Sequence, residues 1–87
     1  MAKVSLETVK KAQTFCLNAI DILSSAEHKL GARYQAAGSD WKDDKYRQLG
    51  DIVNECTGAL RSPVQELQIC YGKLLDIEKA IREYDEA

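Results

Sequence analysis

The stretch YRQLGDIVNECTGALRSPVQELQICYGKLLDIEKAIREY, residues 46–84, decides the fold. Within it Tyr46, Leu49, Val53, Cys56, Leu60, Pro63, Leu67, Cys70, Leu74, Ile77, Ile81 and Tyr84 step by three and four without a break, and every one is apolar. That alternation is the a/d seam of a heptad pattern. The opposite stripe, Asp51, Gly58, Gln65, Gly72, Lys79 and Glu86, carries no large apolar residue. The spacing predicts one helix over about residues 41–84. Pro63 has no N–H to donate and clashes with the carbonyl four residues back. Because the seam resumes in phase after it, a kink near residues 59–63 is expected and not a break.

The first half repeats the spacing less strictly. Leu6, Val9, Gln13, Cys16, Ile20, Leu23, Glu27, Leu30 and Tyr34 form a seam with two polar lapses. Ser5 suits an N-cap, and Gly38 suits a left-handed residue closing the helix, which sets helix one at about residues 5–37. Ser39 or Asp40 then caps helix two after a turn at about residues 38–41. A connection this short makes the helices antiparallel neighbours. The whole chain, residues 1–87, is therefore one all-α domain, a hairpin of two long helices.

Helix one also has a second apolar surface. Ala12, Ala19 and Ala26 recur every seven residues beside the seam, and Phe15 and Ile22 recur at the same interval one step further round. One facing helix covers about one stripe. The alanines would admit a second helix closely, with Phe15 and Ile22 flanking it, so these five residues are the expected partner interface. With the turn near residue 40, residue i faces residue 80 minus i, and no two of Cys16, Cys56 and Cys70 come within disulfide reach. All three occupy seam positions and read as small buried hydrophobes with free thiols.

Composition narrows the function. The 87 residues carry a net charge of −2, with acids and bases interspersed, so nucleic acid has no electrostatic footprint here. No apolar run approaches the roughly 18 residues of a membrane span, and MAKVSLETVKK has no signal-peptide h-region. Direct membrane insertion is not expected, and synthesis in the cytoplasm is. The single histidine, His28, falls on the polar side of helix one, away from the cysteines. Asp40, Asp43 and Asp44 lack the spacing of a calcium loop and suit the helix-two N-terminus instead. No catalytic group, metal set or cofactor motif is expected, and the pattern points to a module that binds other proteins.

A helix, a short turn with a lone tryptophan in GSDWKDDKY (residues 38–46), and a second helix resemble the WXG100 family, the ESAT-6-like small proteins exported by bacterial type VII secretion systems. Trp41 matches the W-x-G motif outright, whereas Asp43 stands where the glycine would be. Small helical partners of LXG toxins often vary at that position. The resemblance implies a hairpin that dimerises into a four-helix bundle, as a homodimer or as a heterodimer with a related helical protein or an LXG-type effector. It implies a protein exported without a cleaved signal peptide, as a substrate or as the escort of a larger one, and engaged by the secretion ATPase. It also implies a turn tryptophan set against the partner's tail as part of an export signal. The residues alone leave open a second reading, in which Trp41 staples helix two onto helix one near Tyr34 and Tyr46. The family's tail pattern, an aromatic or apolar residue with an acid four later, is matched partly by Leu74 with Glu78, followed by Ile81.

The register above leaves everything from Asp76 onward overhanging, yet the overhang keeps its seam in Ile77, Ile81 and Tyr84. Leu74, Glu78, Ile81 and Tyr84 are therefore expected to contact a partner or the secretion ATPase. The alternative from another class is a non-secreted coiled-coil adaptor or structural subunit of a cytosolic complex.

Overall fold

Ser5 starts the first helix: its Oγ accepts from the Thr8 amide at 3.1 Å, and its carbonyl accepts from the Val9 amide at 3.2 Å. This satisfies an amide that the first turn would otherwise leave unpaired. The computed structural model describes residues 5–38 and 44–86. In it α1 runs Leu6–Gly38 and α2 runs Asp44–Glu86. They pack side by side as an antiparallel hairpin 66 × 18 × 16 Å in extent. That length is close to the roughly 65 Å that the 43 residues of α2 span at the helical rise. Trp41 and Asp43, the turn itself and the capping candidates Ser39 and Asp40 lie outside the described residues.

Helix α1 turns its expected row inward. Val9 and Cys16 are buried, and Leu6, Gln13, Ile20, Leu23, Glu27, Leu30 and Tyr34 are half-buried. Helix α2 turns only half of its expected seam inward. The row Tyr46, Val53, Leu60, Leu67, Leu74 and Ile81 faces α1, but its companion is Gly50, Thr57, Val64, Tyr71 and Glu78. Leu49, Cys56, Cys70, Ile77 and Tyr84, expected in the seam, are exposed. Two of the three cysteines are thus surface thiols and not buried hydrophobes, although all three are free as expected. The helix runs through Pro63 unbroken.

Polar and aromatic partners explain the rotation of α2. Gln13 Nε2 donates to Glu78 Oε1 at 2.8 Å and to the Leu74 carbonyl at 3.4 Å, so the first polar lapse in α1 is answered from α2. The second lapse, Glu27, pairs with Arg61 Nε at 2.7 Å. At the turn end Tyr34 and Tyr46 stack, with ring centroids 4.4 Å apart and planes within 8°. Each tyrosine hydroxyl donates to the other's backbone carbonyl, at 3.4 and 3.2 Å. Each ring also lies over a glycine of the facing helix. A Cβ at Gly38 would sit 2.5 Å from Tyr46 Cζ, and one at Gly50 would sit 2.9 Å from Tyr34 Cζ. Gly38 is accordingly helical, with no positive φ, and serves close approach where a left-handed terminus was expected.

The register differs from the sequence expectation toward the open end. Gln13 meets Leu74 and Glu78, where a turn centred near residue 40 would have placed about residue 67. The turn end keeps the expected register, with Tyr34 against Tyr46, but Glu27 already meets Arg61 where about residue 53 was expected, so later α2 residues lie further along α1. The segment after Asp76 therefore does not overhang. Ile77, Ile81 and Tyr84 share a groove with Ser5 and Leu6.

Candidate protein-interaction face

A pair of packed helices has two grooves, one on each side of the contact. Here they differ in chemistry. One is lined by Ser24, Glu27, His28, Gly31, Ala32, Tyr34 and Gln35 of α1 and by Val53, Asn54, Thr57 and Arg61 of α2, so it mixes polar and apolar groups. The other is lined at the open end by Ser5, Leu6, Ile77, Ala80, Ile81 and Tyr84, and near the turn by Ala37, Tyr46 and Leu49. Heptad spacing joins these ends into one face. The row of Ser5 continues as Ala12, Ala19 and Ala26, with Phe15 and Ile22 beside it. The row of Leu49 and Ile77 continues through Cys56 and Cys70, with Ile52 and Ala59 beside it. Both rows flank the same groove.

Exposure along this face is high for its residue types. Phe15 is 72% exposed, Ile22 67%, Ile52 57% and Tyr84 73%, while Leu49 and Ile77 are each 44% exposed. Ala12 and Ala19 are half-buried, and Ala26 is exposed. Of the other exposed apolar side chains, Leu17 and Leu75 fall by heptad spacing in the rows of Ser24 and Arg61, beside the first groove, and Ile69 lies apart from both grooves. A contiguous exposed stripe along both helices is a different matter and makes this the candidate contact face.

Of the residues expected at the tail contact, Leu74 and Ile81 are half-buried against α1 and Tyr84 stands exposed at the groove mouth. Glu78 faces inward. One carboxylate oxygen takes Gln13, and the other takes Arg82 Nε at 2.9 Å. These hydrogen bonds, Gln13 first, hold its carboxyl below the ordinary carboxylate value. The Tyr34 phenol shifts upward, chiefly through hydrogen bonding with the Tyr46 side chain and then through desolvation. Both shifts follow from packing inside the hairpin.

Sequence reasoning placed the helix-one half of this face and missed the helix-two half, Leu49, Ile52, Cys56, Ala59 and Cys70. The signal was present. The α2 seam is apolar at every position, whereas α1 interrupts its own at Gln13 and Glu27, so the two expected seams do not match each other. Among the described residues no helix is long and apolar enough to cross a membrane. Comparison with protein-family models, with curated proteins and with solved structures finds no match to this chain.

Proposed function

We propose that this chain is a protein-binding half-bundle, which completes a four-helix bundle with a second helical hairpin and acts in a type VII secretion system. In this reading it is an exported substrate or the escort of a larger effector, not an enzyme, and it holds no cofactor. It is made in the cytoplasm and leaves without a cleaved signal peptide. The observation that carries the reading is the exposed apolar face running the length of a long helical hairpin, along one of its two grooves. The lone turn tryptophan, Trp41, followed by Asp43, supports the WXG100-like assignment within it.

The two halves of the face divide the work. Ala12, Phe15, Ala19, Ile22 and Ala26 receive the partner bundle. Tyr84, with Leu74 and Ile81 behind it, offers the groove at the open end to the secretion ATPase, while Glu78 positions that end against α1. The experiment is fractionation of the native host with and without its secretion ATPase. Appearance outside the cell that depends on the ATPase supports the reading. A chain retained in the cytoplasm in both strains, bound to a helical partner, identifies a cytosolic adaptor and overturns the secretion assignment.

A further inference from the structure

The exposed face is sorted by charge as well as by hydropathy. Near the turn its rows carry Lys29, Arg33 and Lys45, all exposed, and no acid, although the chain as a whole has a net charge of −2. Acids return only toward the open end, with Glu66 one heptad before Lys73 and Asp85 at the groove mouth. Pairing differs in the same way. Arg47, Arg61 and Arg82, beside the first groove, each bond a carboxylate of this chain. Among the described residues Lys29, Arg33 and Lys45 form no ion pair. The fold thus leaves three cations unneutralised around one apolar stretch, and complementarity there calls for a surface both anionic and apolar.

The placement of the apolar side chains indicates which kind of surface. Near the turn the most exposed are Ile22, at 67%, and Ile52, at 57%. Both stand on the outermost row of their helix, beyond the rows that flank the groove. Leu49, on a flanking row, is 44% exposed. A single helix laid in the groove touches the flanking rows and leaves Ile22 and Ile52 outside it. A flat surface meets both edges at once. The cations stand at both edges too, Lys29 on α1 and Lys45 on α2. An acidic helix would have to match both positions, whereas a layer of lipid phosphates supplies anions everywhere. We propose that the turn half of this face rests on an anionic lipid surface.

Ile22, Leu49 and Ile52 enter the boundary between headgroups and acyl chains, and Lys29, Arg33 and Lys45 reach the phosphates. Long basic side chains suit this level, because their aliphatic stems lie along apolar surface while their charges stay in the headgroup layer. The rod lies along the bilayer and crosses it nowhere, in keeping with the absence of a spanning helix among the described residues. This goes beyond the proposed function and does not rest on export. Ile22 belongs to the surface assigned above to the partner bundle, so lipid and partner exclude each other there. The free chain is the membrane-bound form, and pairing releases it.

The test uses the full chain and vesicles of phosphatidylcholine with phosphatidylglycerol, compared with phosphatidylcholine alone. The chain should co-sediment with the anionic vesicles only, and high salt should release it. Lys29→Gln, Arg33→Gln and Lys45→Gln together should weaken binding about a hundredfold, at roughly fivefold per charge. Lys10→Gln, Arg47→Gln and Lys79→Gln change the net charge equally on the side of the first groove, and together they should weaken it by no more than about fivefold. Ile22→Ser with Ile52→Ser should weaken it about tenfold with helicity unchanged, since both side chains are exposed. The exposed thiols report which half inserts, Cys56 in the turn half and Cys70 in the open half, while Cys16 is buried. An environment-sensitive fluorophore on Cys56 of the Cys70→Ser chain should shift to the blue on anionic vesicles, and by more than one on Cys70 of the Cys56→Ser chain. No binding to anionic vesicles, equal loss in the two triple variants, or a larger shift at Cys70 would each overturn the proposal. So would a chain that ignores vesicles yet shows the Cys56 shift with a synthetic amphipathic helix edged with glutamates, which would assign the face to a protein.

Discussion

Replacing glycine by alanine inside a helix ordinarily stabilises it by about 1 kcal/mol, because alanine loses less backbone freedom on folding. This chain offers the same substitution in two opposite settings. At Gly58 and Gly72 a new Cβ meets nothing within 4 Å. Both should follow the ordinary rule, and for a domain this small about 1 kcal/mol raises Tm by about 4–8 °C. At Gly50 the Cβ would sit 2.9 Å from Tyr34 Cζ and closer still to its hydroxyl. The ring must then leave its stack on Tyr46, and its hydroxyl must leave the Tyr46 carbonyl. Overpacking of this kind costs about 1–3 kcal/mol, which outweighs the propensity gain and leaves a net loss of about 1 kcal/mol. The assay is urea and thermal unfolding followed by circular dichroism at one fixed protein concentration, since any association would shift the midpoint. In a Tyr34→Ala background Gly50→Ala should recover the stabilising sign. If Gly50→Ala stabilises the otherwise unaltered chain as much as Gly58→Ala does, the tyrosine–glycine packing described here is wrong.

The inter-helix carboxylates should rank by their donors. Glu78, bonded by Gln13 and Arg82, should lower the urea midpoint more on replacement by alanine than Glu27, whose partner Arg61 is 67% exposed. Because the folded-state pKa of Glu78 is depressed, its contribution is fully present above the ordinary value of 4.5 and is lost as pH falls through the lower folded value. Urea midpoints measured from neutral pH downward should fall more steeply for the wild type than for Glu78→Gln as pH drops from 4.5 toward the lower folded value, and parallel curves would contradict the assignment. The raised Tyr34 value carries the opposite sign. Its contribution holds below the ordinary phenol value of 10.0 and is lost as pH rises through the higher folded value, so Tyr34→Phe should flatten the alkaline limb of the unfolding curve. Removing residues 76–87 takes Glu78 and Ile81 off α1, so amide exchange at Val9 should accelerate; unchanged protection there would argue for a tail that overhangs.

What could be read from the residues depended on what period alone determines. The inward row of α1, including Gln13 and Glu27, follows from spacing, because a polar residue in phase stays in phase. The choice between the two possible companion rows on α2 does not follow from spacing. Leu49, Cys56, Cys70, Ile77 and Tyr84 make the more apolar row, and a count of apolar positions selects them. The structure selects Gly50, Thr57, Val64, Tyr71 and Glu78, because Gly50 accommodates Tyr34 and Glu78 answers Gln13. Those contacts lie between residues remote in sequence, so no local pattern announces them. One hint was local: YQAAG at 34–38 and YRQLG at 46–50 repeat the same tyrosine-to-glycine spacing on either side of the turn. That Ala12, Phe15, Ala19, Ile22 and Ala26 share one side of α1 depended on a seven-residue recurrence and was legible. The continuation of that side on α2 became visible only once the inward row was known.

The antiparallel layout has a mechanical consequence. The described chain begins at Ser5 and ends at Glu86 at the same end of the rod, with the connection between helices at the other. A force gripping the C-terminal end therefore peels α2 from α1 as a zipper, one layer at a time, and does not shear the whole contact at once. The layer of Leu6 with Ile81 is loaded first, then Gln13–Glu78, then Glu27–Arg61, and the paired tyrosines last. Each step needs only the force that breaks a single layer, so a motor pulling on the tail could strip the hairpin progressively at low load. Tethering the chain at residues 5 and 86 in an optical trap should show a low, extended unzipping plateau, whereas a single abrupt rupture would indicate that the layers fail together.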